Sequence, residues 1–439
     1  MIPIFDLTLR LNGFPIGRAR RQLASILAVA EPDYAAFIER KKTDIAQHHL
    51  KHNAFYQSLA GNGAYEKWED LPVMRKADFQ RPLDERLSDG YSKKEVFINK
   101  TSGSSGDPMV FAKDKPCHAL IWANIMRRFG WYGVDFNHSL QARFYGQPMD
   151  FLPRMVLRLK DFLSSRYRFS IFDFSDAGIE KILRKFKSTR FDYINGYTSS
   201  IVQIAHYLKR KNLVLKDLCP TLRVCIVTSE MLFEDDRILL EQQLGVPVVN
   251  EYGASEVDVI AIENPDGRWL VNAETCYVEI VDDNGKPVPH GQQGRILVTS
   301  LYNYAHPFIR YEVGDFGALD PSGTPKNPVL QTLVGRTNDV ALLPSGKKPA
   351  GMTFYSITKK LFGDEGNVKE FVVVQTHLDR FEIVYVAEKE LTDPEKAHME
   401  KVFTDFLEPG LRYEFIRRHA LERSKSGKLK QFTSLVKPF

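Results

Sequence analysis

Between residues 96 and 250 short β-rich runs alternate with helical ones, and that alternation narrows the fold more than anything else in the chain. Val96-Phe97-Ile98, Ser139-to-Tyr145, Phe191-to-Ile194, Leu222-to-Val227 and Val246-to-Val249 read as strands. Ser200-to-Lys211 and Asp235-to-Leu244 have helical spacing, the second closed by Gly245. Strands separated by helices cannot pair as hairpins, so they are expected to lie parallel in βαβ units.

The pattern then changes twice. From 269 to 335 it becomes antiparallel, with Asp282-Asp283-Asn284-Gly285 as a turn between Tyr277-to-Val281 and Arg295-to-Thr299. Past about 336, Val368-to-Thr376 and Arg380-to-Ala387 alternate as strands. Thr392 and Glu395 then form a capping box. The helix behind it puts Met399, Val402, Phe403, Phe406 and Leu407 on one face, and Tyr413-to-Ile416 supplies a third strand. A chain of 439 residues exceeds what one core can organise. The expected fold class is therefore α/β, with a large N-terminal domain over 1–335 and a small, mobile α+β domain over 336–439.

Upstream of residue 95 the pattern is helical, and 62–90 reads as connecting surface. Arg18-Ala19-Arg20-Arg21 ahead of Leu23-to-Ala30 imitates an export leader. Gln22 and Ser25 dilute its apolar run, so the stretch reads instead as an amphipathic helix, continued after Pro32 by Tyr34-to-Ile38. No apolar run reaches the roughly 18 residues of a membrane span. A net charge of +5, without a basic block interleaved with aromatics, argues against nucleic acid. The four cysteines show no CxxC pair and read as reduced core thiols of a cytoplasmic protein.

The chemistry is concentrated in a few short stretches. Lys100-to-Pro108 sets Thr101, Ser102, Ser104 and Ser105 among Gly103 and Gly106. Glycine lets the backbone turn sharply, and its amides with the hydroxyls make an anion nest. It is not a Walker loop, because no Gly-Lys pair is followed by Ser or Thr. A flexible surface loop has the same composition. Four further stretches follow: Glu251-Tyr252-Gly253-Ala254-Ser255-Glu256, Arg310-to-Asp315, Gly335-to-Asp339 and Ser424-to-Lys430.

These five stretches, in this order, resemble the acyl-adenylate-forming superfamily. The run Leu301-to-Tyr311 is similar to the phenylacetate-CoA ligase-like branch that includes CapK. The resemblance covers about residues 70 to 435. It implies ATP-dependent adenylation of a carboxylic acid, aromatic in this branch, and transfer to a thiol, coenzyme A first among the acceptors. A carrier protein, an amine or a reductase stays open as acceptor, and a homodimer as the assembly. A catalytically silent nucleotide-binding scaffold is the competing reading.

By the same resemblance, Thr101, Ser102, Gly103, Ser104, Ser105 and Gly106 grip the β- and γ-phosphates. Ser229, Glu230, Asn250, Glu251, Tyr252 and Gly253 surround the nucleotide, with Tyr252 stacking on adenine. Ser255 meets the α-phosphate, Glu256 holds Mg²⁺, Asp315 takes the ribose hydroxyls, and Arg336 adds a cation close by. Lys428 is the expected catalytic residue, reaching the α-phosphate and the attacking carboxylate, with a pivot at Thr337-Asn338. Tyr145, Gly196, Tyr197 and His306 are expected to line the acid pocket. Two positions depart from the family pattern: Met109 stands where a lysine is common, and Asn338 where a charge is common. Each residue also has a plain structural alternative, as core aromatic, turn former or surface charge.

Overall fold

The computed structural model describes residues 3–61, 65–101, 109–146, 151–336, 341–347, 349, 367–423 and 429–436. They form two compact units, Met1–Val313 with Ala318–Gln331, and Gly314–Gly317 with Thr332–Phe439.

In the first unit, β1 (Val96–Lys100) and β2 (Val110–Asp114) make an antiparallel hairpin. A seven-stranded sheet follows, built from β3 (Gln141–Phe144), β4 (Arg166–Phe169), β5 (Tyr193–Tyr197), β6 (Val224–Thr228), β7 (Val248–Ala254), β8 (Asp258–Glu263) and β9 (Trp269–Val271). Its spatial order is β4-β3-β5-β6-β7-β8-β9. The first five run parallel, and β8 and β9 turn back antiparallel.

Alternate residues of β5 and β6 enter opposite cores: Ile194, Cys225 and Val227 one, Tyr193, Val224 and Ile226 the other. Helices Asp176–Ser188, Thr198–Arg210 and Glu234–Leu244 cover the first face. Helices Ile4–Leu11, Ile16–Leu27 and Lys115–Gly130 cover the second. A parallel sheet needs both faces covered, which explains the apolar runs seen in its strands. Gly245 ends its helix in the left-handed conformation, φ +68°.

Two sequence expectations change here. Pro32 does not interrupt one long helix. It sits in the first turn of a separate helix, Glu31–His52, where its missing N–H costs nothing. The stretch 62–90 is not connecting surface, because Leu71, Met74, Phe79, Leu83 and Arg86 are buried. Buried Arg310 pins it: Nη1 donates to the carbonyls of Glu69 and Leu71 at 2.7 and 2.9 Å, Nη2 to Gly285 at 2.6 Å, and Nε pairs with Glu279.

A second sheet, ordered β10-β11-β12-β13, consists of β10 (Cys276–Val281), β11 (Gly294–Ser300), β12 (Tyr311–Leu319) and β13 (Leu330–Arg336). In the second unit β14 (Val368–His377) and β15 (Arg380–Ala387) form the expected hairpin. Thr392 and Glu395 make the capping box of helix Asp393–Phe406, and Met399, Phe403 and Leu407 are buried in that unit's core. β16 (Arg412–Arg418) joins β15 in parallel, and an unanticipated short strand, β17 (Phe432–Ser434), joins β14 in parallel. All four cysteines are free and buried. Among the described residues no helix is long and apolar enough to cross a membrane.

Candidate active site

The glycine- and serine-rich loop grows out of the β1–β2 hairpin. Its base is closed by Thr101, whose N–H donates to the Met109 carbonyl at 2.9 Å and whose hydroxyl accepts from the Met109 N–H at 3.0 Å. Met109 itself is buried, which gives the departure from lysine a packing reason. Ser102, Gly103, Ser104, Ser105 and Gly106 lie outside the described residues.

Strand β7 runs through the second motif rather than stopping before it, so Tyr252 and Gly253 are strand residues. A Cβ on Gly253 would lie 2.4 Å from the Asp258 carbonyl oxygen, so only glycine allows β7 and β8 to turn this tightly. Between them Asp258 takes a left-handed φ of +62°. Tyr252 is buried, its ring 6.1 Å from that of Trp269 and edge-on to it. Ser255 is exposed, and Glu256 is buried.

Two contacts join separate motifs. Lys113 of β2, buried, donates from Nζ to the Ser255 carbonyl at 3.1 Å and forms an ion pair with Asp258. The loop-bearing hairpin is thereby tied to the Ser255-Glu256 turn. Tyr311, next to Arg310, donates its hydroxyl to Glu256 Oε1 at 2.8 Å. Hydrogen bonds thus link the hairpin that carries the first motif, the Ser255-Glu256 turn and Tyr311 of the third motif. No cluster of three or more metal-binding side chains occurs among the described residues. A lone buried carboxylate, Glu256, still suits Mg²⁺, which usually binds through one or two carboxylates, water and substrate phosphates.

The residues expected near the nucleotide base divide. Ser229 sits exposed at the end of β6 with φ +70°. Glu230 accepts the Ser199 N–H at 2.8 Å, at the start of helix Thr198–Arg210. Asn250 donates its backbone N–H to Glu263 at 2.8 Å. Glu251 groups with Thr228 and Arg143. Burial pushes its carboxyl up to about 7, against the pull of the Thr228 hydrogen bond and the Arg143 charge.

Around the expected acid pocket, the Tyr145 hydroxyl donates to Asn195 Oδ1 at 3.1 Å, and its ring lies 4.8 Å from that of Tyr197. A Cβ on Gly196 would approach the Phe144 carbonyl oxygen to 2.6 Å, so β3 and β5 need glycine there. His306 does not share these surroundings. It is completely buried, with Nε2 2.8 Å from Arg86 Nη1 and its ring among Phe79 and Phe308. Burial and the neighbouring Arg86 charge hold its pKa well below the usual value, so it packs as a neutral ring. Asp315 lies in β12 and Arg336 ends β13, while Lys428 and the Thr337-Asn338 pivot fall outside the described residues.

No protein-family profile matches the chain. It is 25% identical over 324 residues to Protein CapK of Staphylococcus aureus, covering 72% of this chain and 68% of that one. It is 28% identical over 180 residues to the phenylacetate-coenzyme A ligase of Pseudomonas putida, and that match covers only 40% of each chain. Among solved structures, 2-hydroxyisobutyryl-CoA ligase in the postadenylation state superposes with a TM-score of 0.68, covering 92% of both chains at 15% identity. The chain thus shares the fold of that CoA ligase and is similar in sequence to CapK and to a phenylacetate-coenzyme A ligase.

Proposed function

We propose that this protein activates a carboxylic acid with ATP and passes the acyl group to coenzyme A. A carboxylate oxygen of the acid attacks the α-phosphorus, and pyrophosphate leaves with the bonding electrons of the broken P–O bond. The thiol then attacks the acyl carbon, losing its proton, and AMP departs. Both partners of the first step are anions, so the protein's task is to spread positive charge and hold them in line. The observation that carries the reading is the double tie at the Ser255-Glu256 turn, through Lys113 to the loop-bearing hairpin and through Tyr311 to the third motif.

The hydroxyls from Thr101 to Ser105 and the glycine amides take the β- and γ-phosphates. Tyr252 meets the adenine, Ser255 the α-phosphate and Asp315 the ribose, with Arg336 as an added cation. Glu256, with the phosphates, would hold Mg²⁺, which supplies further positive charge. Lys428 stabilises the charge that develops at the α-phosphate, and rotation about Thr337-Asn338 exchanges the two steps. Four buried free thiols suit a reducing compartment, and we place the reaction in the cytoplasm.

Acid-dependent exchange of labelled pyrophosphate into ATP tests the first step, and its absence across a broad acid panel would favour a silent scaffold. Lys428→Ala should nearly abolish exchange while sparing thioester formation from ready-made acyl-adenylate. Equal loss in both would refute the two-step assignment.

A further inference from the structure

Helix Ile4–Leu11 is apolar on two opposite sides. Phe5 and Leu9 enter the core, while Ile4, Leu7 and Leu11, spaced three and four apart, stay exposed, Leu11 at 78%. Helix Phe151–Leu163 lies against it and repeats the arrangement. Its Asp161 is buried beside Arg168 of β4, whereas Met155, Leu159, Phe162 and Leu163 are exposed, Phe162 again at 78%. Seven of the thirteen large apolar side chains that stand exposed among the described residues therefore belong to these two helices. Single exposed leucines are ordinary, but two adjoining helices with outward apolar rows mark a docking face.

The charge around that face has one sign. Asp6 and Asp161, the only carboxylates of the two helices, are buried and neutralised, Asp6 by Arg20 at 2.8 Å and Asp161 by Arg168 at 2.7 and 3.0 Å. Arg10, Arg158 and Lys160 are exposed on the same helices. The neighbouring helix Ile16–Leu27 adds Arg18, Arg20 and Arg21 and contains no acid. A second copy docked through this face by two-fold symmetry would set one cationic margin against another. An anionic lipid surface has the complementary charge. It also offers hydrocarbon to the leucines, while arginine and lysine reach back to the headgroups.

We propose that helices Ile4–Leu11 and Phe151–Leu163 together dock the protein on the surface of an anionic bilayer. Their apolar rows lie at the boundary between headgroups and acyl chains, and neither helix crosses it. Each arginine or lysine brought to such a surface strengthens attachment by about fivefold, and salt weakens it. The inference does not depend on the adenylation chemistry.

The test floats the full chain with vesicles of phosphatidylcholine alone or of phosphatidylcholine mixed with phosphatidylglycerol. The expected result is partitioning at least about tenfold stronger into the anionic vesicles, declining as salt is raised. Leu11→Asp combined with Phe162→Asp should weaken it by about 100-fold and leave the melting temperature unchanged, since both side chains are exposed. Arg158→Glu combined with Lys160→Glu should erase the preference for phosphatidylglycerol. Failure to float with either vesicle, equal partitioning into both, or full binding by the aspartate variant would each overturn the inference. So would a dimer, seen by light scattering, that the same aspartates split, because a second copy would then occupy the face. Should the aspartate variant fail to fold, the two vesicle compositions tested on the unaltered protein decide alone.

Discussion

Glu251→Gln offers a quantitative check on the polar face of the seven-stranded sheet. Its carboxyl is raised from 4.5 to about 7, with burial as the leading cause. A raised acid favours the folded state at low pH, since the native carboxyl keeps its proton after the unfolded one has lost it. That advantage is complete below the unfolded value and disappears as pH rises through about 7. Linkage over this shift gives a loss of about 2.5 kcal/mol between about pH 5 and pH 8. Partial exposure screens the charge and reduces the figure to about 1–2 kcal/mol. Glutamine keeps an acceptor for Thr228 and does not titrate, so it should gain on glutamate by that amount across the interval. All four tryptophans, Trp68, Trp122, Trp131 and Trp269, lie in the first unit, so fluorescence-detected urea unfolding reports that unit. A stability gap that stays constant from pH 5 to pH 8, or that shrinks, would refute the assignment.

Two further substitutions test the framework. Arg310→Met leaves Glu279 buried without its cation and frees the carbonyls of Glu69, Leu71 and Gly285, so the first unit should lose about 3–5 kcal/mol in urea unfolding. Gly253→Ala drives a methyl against the Asp258 carbonyl and should cost about 1–3 kcal/mol, read as a lower melting temperature.

Local pattern made much of the fold legible. β3, β5, β6 and β7 lie where apolar runs and βαβ alternation put them, within a few residues. The Thr392–Glu395 capping box is present as written in the sequence. What stayed hidden depends on distant partners. Nothing beside Lys113 signals that it pairs with Asp258, 145 residues away. Arg143 and Arg166 look like ordinary strand cations until the β3–β4 register puts them on one face. The segment 62–90 carries the charges and prolines of a surface connection, yet Arg310, more than 200 residues downstream, draws it into the interior. β2, β4 and β17 are too short or too polar to announce themselves, and pairing alone makes them strands. His306 read as a pocket residue because its burial depends on Phe79 and Arg86, both from that same misread stretch.

The second unit's sheet runs β16-β15-β14-β17, so its two outer strands come from either side of Ser424-to-Lys428 in the chain. Phe432 is buried, Val373 donates to the Gln431 carbonyl at 3.0 Å, and Leu435 returns a bond to Gln375 at 2.8 Å. The strands that precede and follow this stretch in sequence thus form two posts at opposite margins of one sheet. A cut just ahead of Phe432 would leave Lys428 chemically untouched and pull out one post. The expected outcome of such a truncation is a second unit that has lost β17 from its sheet, read as a lower melting temperature of that unit.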